Sequence, residues 1–178
     1  MARSAKEIAD MLQRLQDSYA AVSTALVFLN DDDALRLLQE KGYYPGSTIR
    51  LGRRDDSYYE GIKLWDAIHS VRGSAGFNLD FLKSLFMTTL SWVGDELTAK
   101  GYFDKTPELE FFRHLRNGIS HGNRFNLIRF NEPIRLARFK GFEVTAALDG
   151  QPVLFEFIST GDLFDMFDHV KAHLRALP

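Results

Sequence analysis

The sequence predicts a mainly α-helical fold within the α+β class: a helical bundle, then a small antiparallel β hairpin or sheet, then a C-terminal helix. Three observations carry this. Apolar residues recur at three- and four-residue spacing over most of the chain. Helix-start chemistry stands before those stretches, at Ser4, Asp31 and Thr106. Short apolar runs punctuated by turn residues gather between residues 124 and 158.

Ser4 followed three residues later by Glu7 is a capping box, and Ile8, Leu12, Leu15, Tyr19, Val22 and Leu26 continue at helical spacing. The first helix is therefore read from about Ala5 to about Leu29. Asn30 and the run Asp31, Asp32, Asp33 mark a stop and a restart, because carboxylates accept from free N–H groups and suit the positive end of a helix. A shorter helix follows to Lys41 and is closed by Gly42. Between Tyr43 and Gly61 periodicity fades, and Pro45, Gly46 and Gly52 predict a long loop carrying Arg50, Arg53, Arg54 and four tyrosines. Ile62 to Arg72 regains a helical pattern before Gly73, Ser74 and Gly76 break it.

From Asn78 to about Lys100 the apolar set is nearly continuous, which predicts a helix buried over much of its circumference. Thr106-Pro107-Glu108 supplies a hydroxyl cap, a proline where no N–H is needed and an acid in the first turn, so a helix starts there and ends near His121 with Gly122. Beyond it, Phe125 to Phe130 and Ile134 to Phe139 read as strands. Val144 to Leu148 and Val153 to Phe157 flank Asp149-Gly150, a two-residue turn suited to a hairpin, with Pro152 on an edge. Thr160 to Leu174 closes the chain as an amphipathic helix.

A length of 178 residues predicts a single domain spanning 1–178, with the bundle at about 4–122, a β insertion at about 124–158 and the last helix at about 160–176. With 45% hydrophobic and 26% charged residues, neither a disordered nor a fibrous class fits. The absence of cysteine excludes disulfides, thiolate metal sites and cysteine nucleophiles, and suits a reducing compartment. No apolar run approaches the ~20 residues that span a bilayer, and the N-terminus begins as a mixed-charge helix and not as a signal peptide. The expectation is a cytoplasmic protein with no membrane partner.

The chemistry concentrates in Phe111 to Asn123, F-F-R-H-L-R-N-G-I-S-H-G-N. Phe111, Phe112, Leu115 and Ile119 fall within about a 100° arc of a helix, opposite Arg113, His114, Arg116, Asn117, Ser120 and His121. RNA cleavage by the substrate's own 2'-hydroxyl needs a proton-transfer group and a cation for the phosphate. Histidine can act as acid or base near neutral pH, and arginine grips phosphate oxygens bidentately. This logic needs no metal and no cofactor. The alternative is that arginine and histidine merely complement the negative end of the helix dipole.

Arg116-Asn117-Gly118-Ile119-Ser120-His121 resembles the Arg-x4-6-His motif of HEPN (higher eukaryotes and prokaryotes nucleotide-binding) domains, in which a polar residue follows the arginine at the end of an amphipathic helix. The resemblance implies a helical bundle of HEPN type and a metal-independent endoribonuclease. It implies a homodimer whose two motifs form a composite site, in toxin–antitoxin, antiphage or stress systems, with an antitoxin or regulatory protein as a further partner. By that resemblance Arg116 would stabilise the phosphate, His121 would handle the proton, and Asn117 would orient both. Arg113, His114, Ser120, Asn123 and Arg124 would be the flanking RNA-binding residues. The family also contains members that bind RNA, nucleotide or protein without cutting, and a structural, dimerising bundle is a third reading.

From Arg113 to Lys140 seven basic residues (Arg113, Arg116, Arg124, Arg129, Arg135, Arg138, Lys140) stand against one acid, Glu132, a local +6 in a chain of net −2. Such a stretch either tracks a phosphate backbone or lines a solvated strand edge. Asp165, His169 and His173 share one face of the last helix, where a solvent-facing polar stripe competes with metal ligation. The arginine and tyrosine loop at 43–61 could clamp single-stranded RNA or be a plain loop, and Asp31 to Asp33 could cap a helix or bind a metal.

Overall fold

The chain is described from a computed structural model, which covers residues 3–128 and 134–177. Its elements are α1 (Ala5–Leu29), α2 (Asp32–Glu40), β1 (Thr48–Gly52), β2 (Tyr58–Lys63), α3 (Leu64–Val71), α4 (Ala75–Ala99), α5 (Pro107–Ser120), β3 (Arg138–Phe139), β4 (Phe142–Glu143) and α6 (Thr160–Ala176). The fold is mainly helical, with small two-stranded antiparallel pairings and a C-terminal helix, as the sequence predicts. The chain divides into two compact units, one of Met1–Ser18 with Lys83–Pro178 and one of Tyr19–Leu82.

In the Tyr19–Leu82 unit the three aspartates serve backbone and arginine. Asp31 caps α2, its carboxylate accepting from the Asp33 N–H at 2.8 Å. Asp32 pairs with Arg72, whose guanidinium also donates to the carbonyls of Leu29 (3.2 Å) and Asp31 (3.1 Å). Gly42 ends the helix at φ +88°, the left-handed conformation that glycine adopts without a Cβ clash.

The long loop expected at 43–61, within the span read as the helical bundle, is in fact a hairpin. Strand β1 pairs antiparallel with β2 through Ile49↔Ile62 and Leu51↔Tyr59, with a bulge between Ile49 and Leu51. β-branched and aromatic residues favour this pleated pairing, and the breakers that suggested a loop sit where they do no harm. Pro45 and Gly46 precede β1, and Gly52 is its last residue. A turn with Asp56 at φ +61° reverses the chain. The following helix accordingly starts at Leu64 and not at Ile62.

In the larger unit, Ser4 and Glu7 form the expected box, with Ser4 N–H to Glu7 Oε2 at 2.7 Å and Glu7 N–H to Ser4 Oγ at 3.3 Å. Ile8 and Leu12 of α1, Leu90, Val93 and Leu97 of α4, Leu109, Phe112 and Leu115 of α5, and Leu163, Phe167 and Val170 of α6 are all buried. An aromatic cluster extends this core: Phe111 lies 6.1 Å from Phe139 and 6.0 Å from Phe157, and Phe125 meets Phe157 edge-on at 5.0 Å.

The hairpin expected about Asp149-Gly150 does not form. Ala146–Leu148 is a 3-10 turn, and Phe155 adopts φ +71°, which interrupts an extended strand. The Asp149 carboxylate accepts the Leu127 N–H at 2.7 Å, Gly150 N–H donates to the Phe125 carbonyl at 2.8 Å, and Phe125 N–H donates to that of Gln151 at 2.9 Å. The turn itself is kept, with Gln151 N–H donating to the Leu148 carbonyl at 2.9 Å, but its flanks are stitched to the chain leaving α5 and form no ladder with each other. The hairpin sits earlier, at Lys140-Gly141, pairing Arg138 with Glu143 and Phe139 with Phe142. Of the strands read at 125–130 and 134–139, residues 138–139 are a strand, 125–128 are not, and 129–133 lie outside the described residues. No helix among the described residues is long and apolar enough to cross a membrane.

Candidate functional site at the end of helix α5

Helix α5 begins after Thr106, which holds the N-cap position without the expected side-chain capping bond, has Pro107 in its first turn and ends at His121, whose N–H reaches back to the carbonyls of Asn117 and Gly118 at 3.2 Å. Gly122 (φ +74°) and Asn123 (φ +63°) then turn the chain back over the helix. Gly118 permits this return, since a Cβ there would stand 2.5 Å from Val153 Cγ2 and 3.3 Å from the Arg124 carbonyl oxygen. The glycine inside the motif is thus a packing requirement of the helix exit.

Arg116 is held on three sides. Its guanidinium pairs with the Asp95 carboxylate of α4, its Nη1 donates to Asn117 Oδ1 at 3.4 Å, and its side-chain stem crosses α4 at Gly94. The side chain keeps 30% of its surface open, although Nε is buried without a hydrogen-bond partner. Ser120 Oγ donates to the Arg116 carbonyl at 3.2 Å. His121 is exposed at the helix terminus, and among the described residues its ring has no hydrogen-bond or ion-pair partner. Arg116 and Asn117 are therefore brought together directly, and His121 is presented to solvent from the same helix end.

The face expected to be wholly polar is divided. Burial of α5 reaches beyond its apolar arc to Glu110 and His114, which are 2% and 6% exposed. His114 lies about 60° outside that arc, near enough for neighbouring elements to cover it. Burial first, and the Arg113 charge second, push its pKa down to about 4. Arg113 holds Glu110 through two hydrogen bonds at 2.9 and 2.6 Å, and Arg135 approaches the same carboxylate at 3.6 Å.

Asn123 and Arg124 also serve the fold. Asn123 Oδ1 accepts the Leu154 N–H at 2.8 Å, and Arg124 Nη1 donates to the Gly150 carbonyl at 2.8 Å. Lys140 pairs with Asp165. Five of the seven basic residues between 113 and 140 are thus engaged by protein oxygens, while Arg138 is exposed and Arg129 lies outside the described residues. Three carboxylates from outside the stretch, Glu110, Asp95 and Asp165, meet four of its cations, while Arg124 bonds a neutral carbonyl, so the positive charge is reduced and not cancelled.

Asp165 being paired with Lys140, His173 faces Asp104 at 3.4 Å and the His169 ring packs 5.7 Å from Phe139. Among the described residues no three His, Asp or Glu side chains gather as metal ligands. Sequence reading missed Asp95, Glu110 and Gly94. Gly94 carried a signal, because an interior helix glycine costs about 1 kcal/mol against alanine and often marks a close approach. Asp95 carried none, being distinguished only by the helix it faces. Compared with known family models, curated proteins and solved structures, the chain matches none.

Proposed function

We propose that this chain is a metal-independent endoribonuclease of HEPN type. The observation that carries the reading is that the last turns of one helix carry both a positioned but partly open Arg116 and a solvent-presented His121. Arg116 exchanges the Asp95 carboxylate for a phosphate's non-bridging oxygens, and Asn117 keeps the guanidinium oriented during the exchange. The substrate's 2'-hydroxyl loses its proton and its oxygen bonds to phosphorus. The bond from phosphorus to the 5'-oxygen breaks, and that oxygen gains a proton. His121 serves one of these proton transfers, and the products are a 2',3'-cyclic phosphate and a 5'-hydroxyl. The protein works as a homodimer with a composite site in the cytoplasm, in a defence, toxin–antitoxin or stress-response setting with an antitoxin or regulatory partner.

The test is cleavage of end-labelled single-stranded RNA in EDTA by the wild type, His121→Ala and Arg116→Ala, with helicity checked by circular dichroism. Both substitutions should abolish cleavage while the fold survives; full activity in either variant refutes the assignment. One observation favours a second reading, a non-catalytic RNA-binding module: the guanidinium is already neutralised by Asp95. Pure protein that binds RNA and never cuts it would establish that reading.

A further inference from the structure

A shallow groove of about 460 Å³ runs beside the candidate site, lined by Met87, Thr88, Ser91, Trp92 and Asp95 of α4 and by Ile119 of α5. Its position follows from the helix. Thr88, Ser91, Trp92 and Asp95 fall within an arc of about 100°, opposite the buried Phe86, Leu90, Val93 and Leu97. An outward stripe on such a helix is ordinarily polar, yet this one carries a tryptophan with 42% of its surface open. The Arg3 guanidinium lies over one face of the indole, 5.3 Å from its centroid, and is itself paired with Glu96, so a second cation stands at the stripe and the other indole face is the one left for a base. Asp95 belongs to both places, being a wall of the groove and the partner of Arg116.

We infer that this groove is a nucleobase subsite, in which Trp92 receives the base next to the phosphate that Arg116 grips. The inference rests on the nuclease reading for its phosphate and adds the residue that holds the neighbouring base. Four features select a base over a plain apolar ligand. The indole offers a π surface, which every base can stack on. The Thr88 and Ser91 hydroxyls can donate to or accept from a base edge. The Asp95 carboxylate, released as Arg116 turns to the phosphate, can accept a base N–H. Two guanidinium groups, of Arg3 and Arg116, suit the adjoining phosphates. Single-stranded RNA fits this arrangement because its bases can be splayed from the stack.

The experiment measures binding of a single-stranded 2'-O-methyl RNA octamer, which lacks the attacking hydroxyl and cannot be cut, by fluorescence anisotropy. It compares wild type, Trp92→Ala and Trp92→Phe, and an octamer of abasic residues against wild type. Loss of stacking on one base should weaken binding roughly 5- to 150-fold in Trp92→Ala, with Trp92→Phe recovering most of the affinity. The abasic octamer should bind the wild type with a similar deficit. The abasic arm decides the matter if Trp92→Ala fails to fold. Equal affinity for the normal and abasic octamers overturns the subsite whether or not natural RNA is cleaved. Trp92-dependent binding of the octamer together with intact natural RNA would retain the subsite and remove the nuclease reading.

Discussion

The stem of Arg116 occupies the space where a side chain on residue 94 would begin: a Cβ built on Gly94 would stand 2.5 Å from Arg116 Cγ and 3.2 Å from Cδ. The arginine reaches Asp95 because its neighbour on α4 has no side chain. Gly94→Ala should therefore dislodge the guanidinium while leaving the helix itself intact, since alanine is the better helix former by about 1 kcal/mol. The expected outcome is a large loss of RNA cleavage with an unfolding free energy within about 1 kcal/mol of wild type by urea titration. Wild-type cleavage by this variant would show that the placement of Arg116 is immaterial.

Asp95 neutralises the cation that the proposed chemistry needs. Asp95→Asn keeps an acceptor for Arg116 and removes the negative charge, so RNA affinity should rise. The pair is partly exposed, with 30% and 62% of the two side chains open, which limits the gain to roughly 1.5- to 5-fold. Anisotropy with the uncleavable octamer at low salt reads this directly, and weaker binding by the variant would contradict it.

His114 makes the protein sensitive to acid. Its pKa falls to about 4 on folding, chiefly through burial, from an ordinary value of 6.5. Between those values the unfolded chain binds the proton that the folded chain refuses. The stability contributed by the neutral ring is therefore complete above pH 6.5 and is lost as pH falls toward 4. Melting temperatures of wild type and His114→Leu, compared across that window, should show the steeper decline in the wild type. Parallel curves would argue against a neutral, buried His114.

Asn123 is a structural residue of the helix exit, and its substitution should be read in stability before binding. Asn123→Ala leaves the Leu154 N–H without its 2.8 Å acceptor and places alanine at φ +63°, so destabilisation of about 1–3 kcal/mol is expected in urea. Asn123→Gly relieves the backbone conformation but not the lost acceptor and should fall between the two. A variant of wild-type stability with weakened RNA binding would return Asn123 to the RNA-contacting set.

Much of the helical framework was legible because its signals are local. The Ser4–Glu7 box, the Asp31 cap and Thr106-Pro107 each mark a boundary that the structure keeps. The β segments were less so. The spacing that favours Ile49 opposite Ile62 stands beside Pro45, Gly46 and Gly52, and the Asp149-Gly150 signal that suits a tight hairpin is used instead for bonds to Leu127 and Phe125. Turn residues report that the chain reverses there; the partner to which it returns is a non-local matter.

The sequence by itself determined that α5 ends at His121 and that Arg116, Asn117 and His121 share its last turns, because capping and a 3.6-residue period depend only on near neighbours. Tertiary structure alone decided that Asp95 holds Arg116, that Glu110 and His114 are buried, and that most residues of the basic stretch are tied to protein oxygens. Ion pairing and burial depend on which surfaces meet when helices pack, and those partners can lie anywhere along the chain.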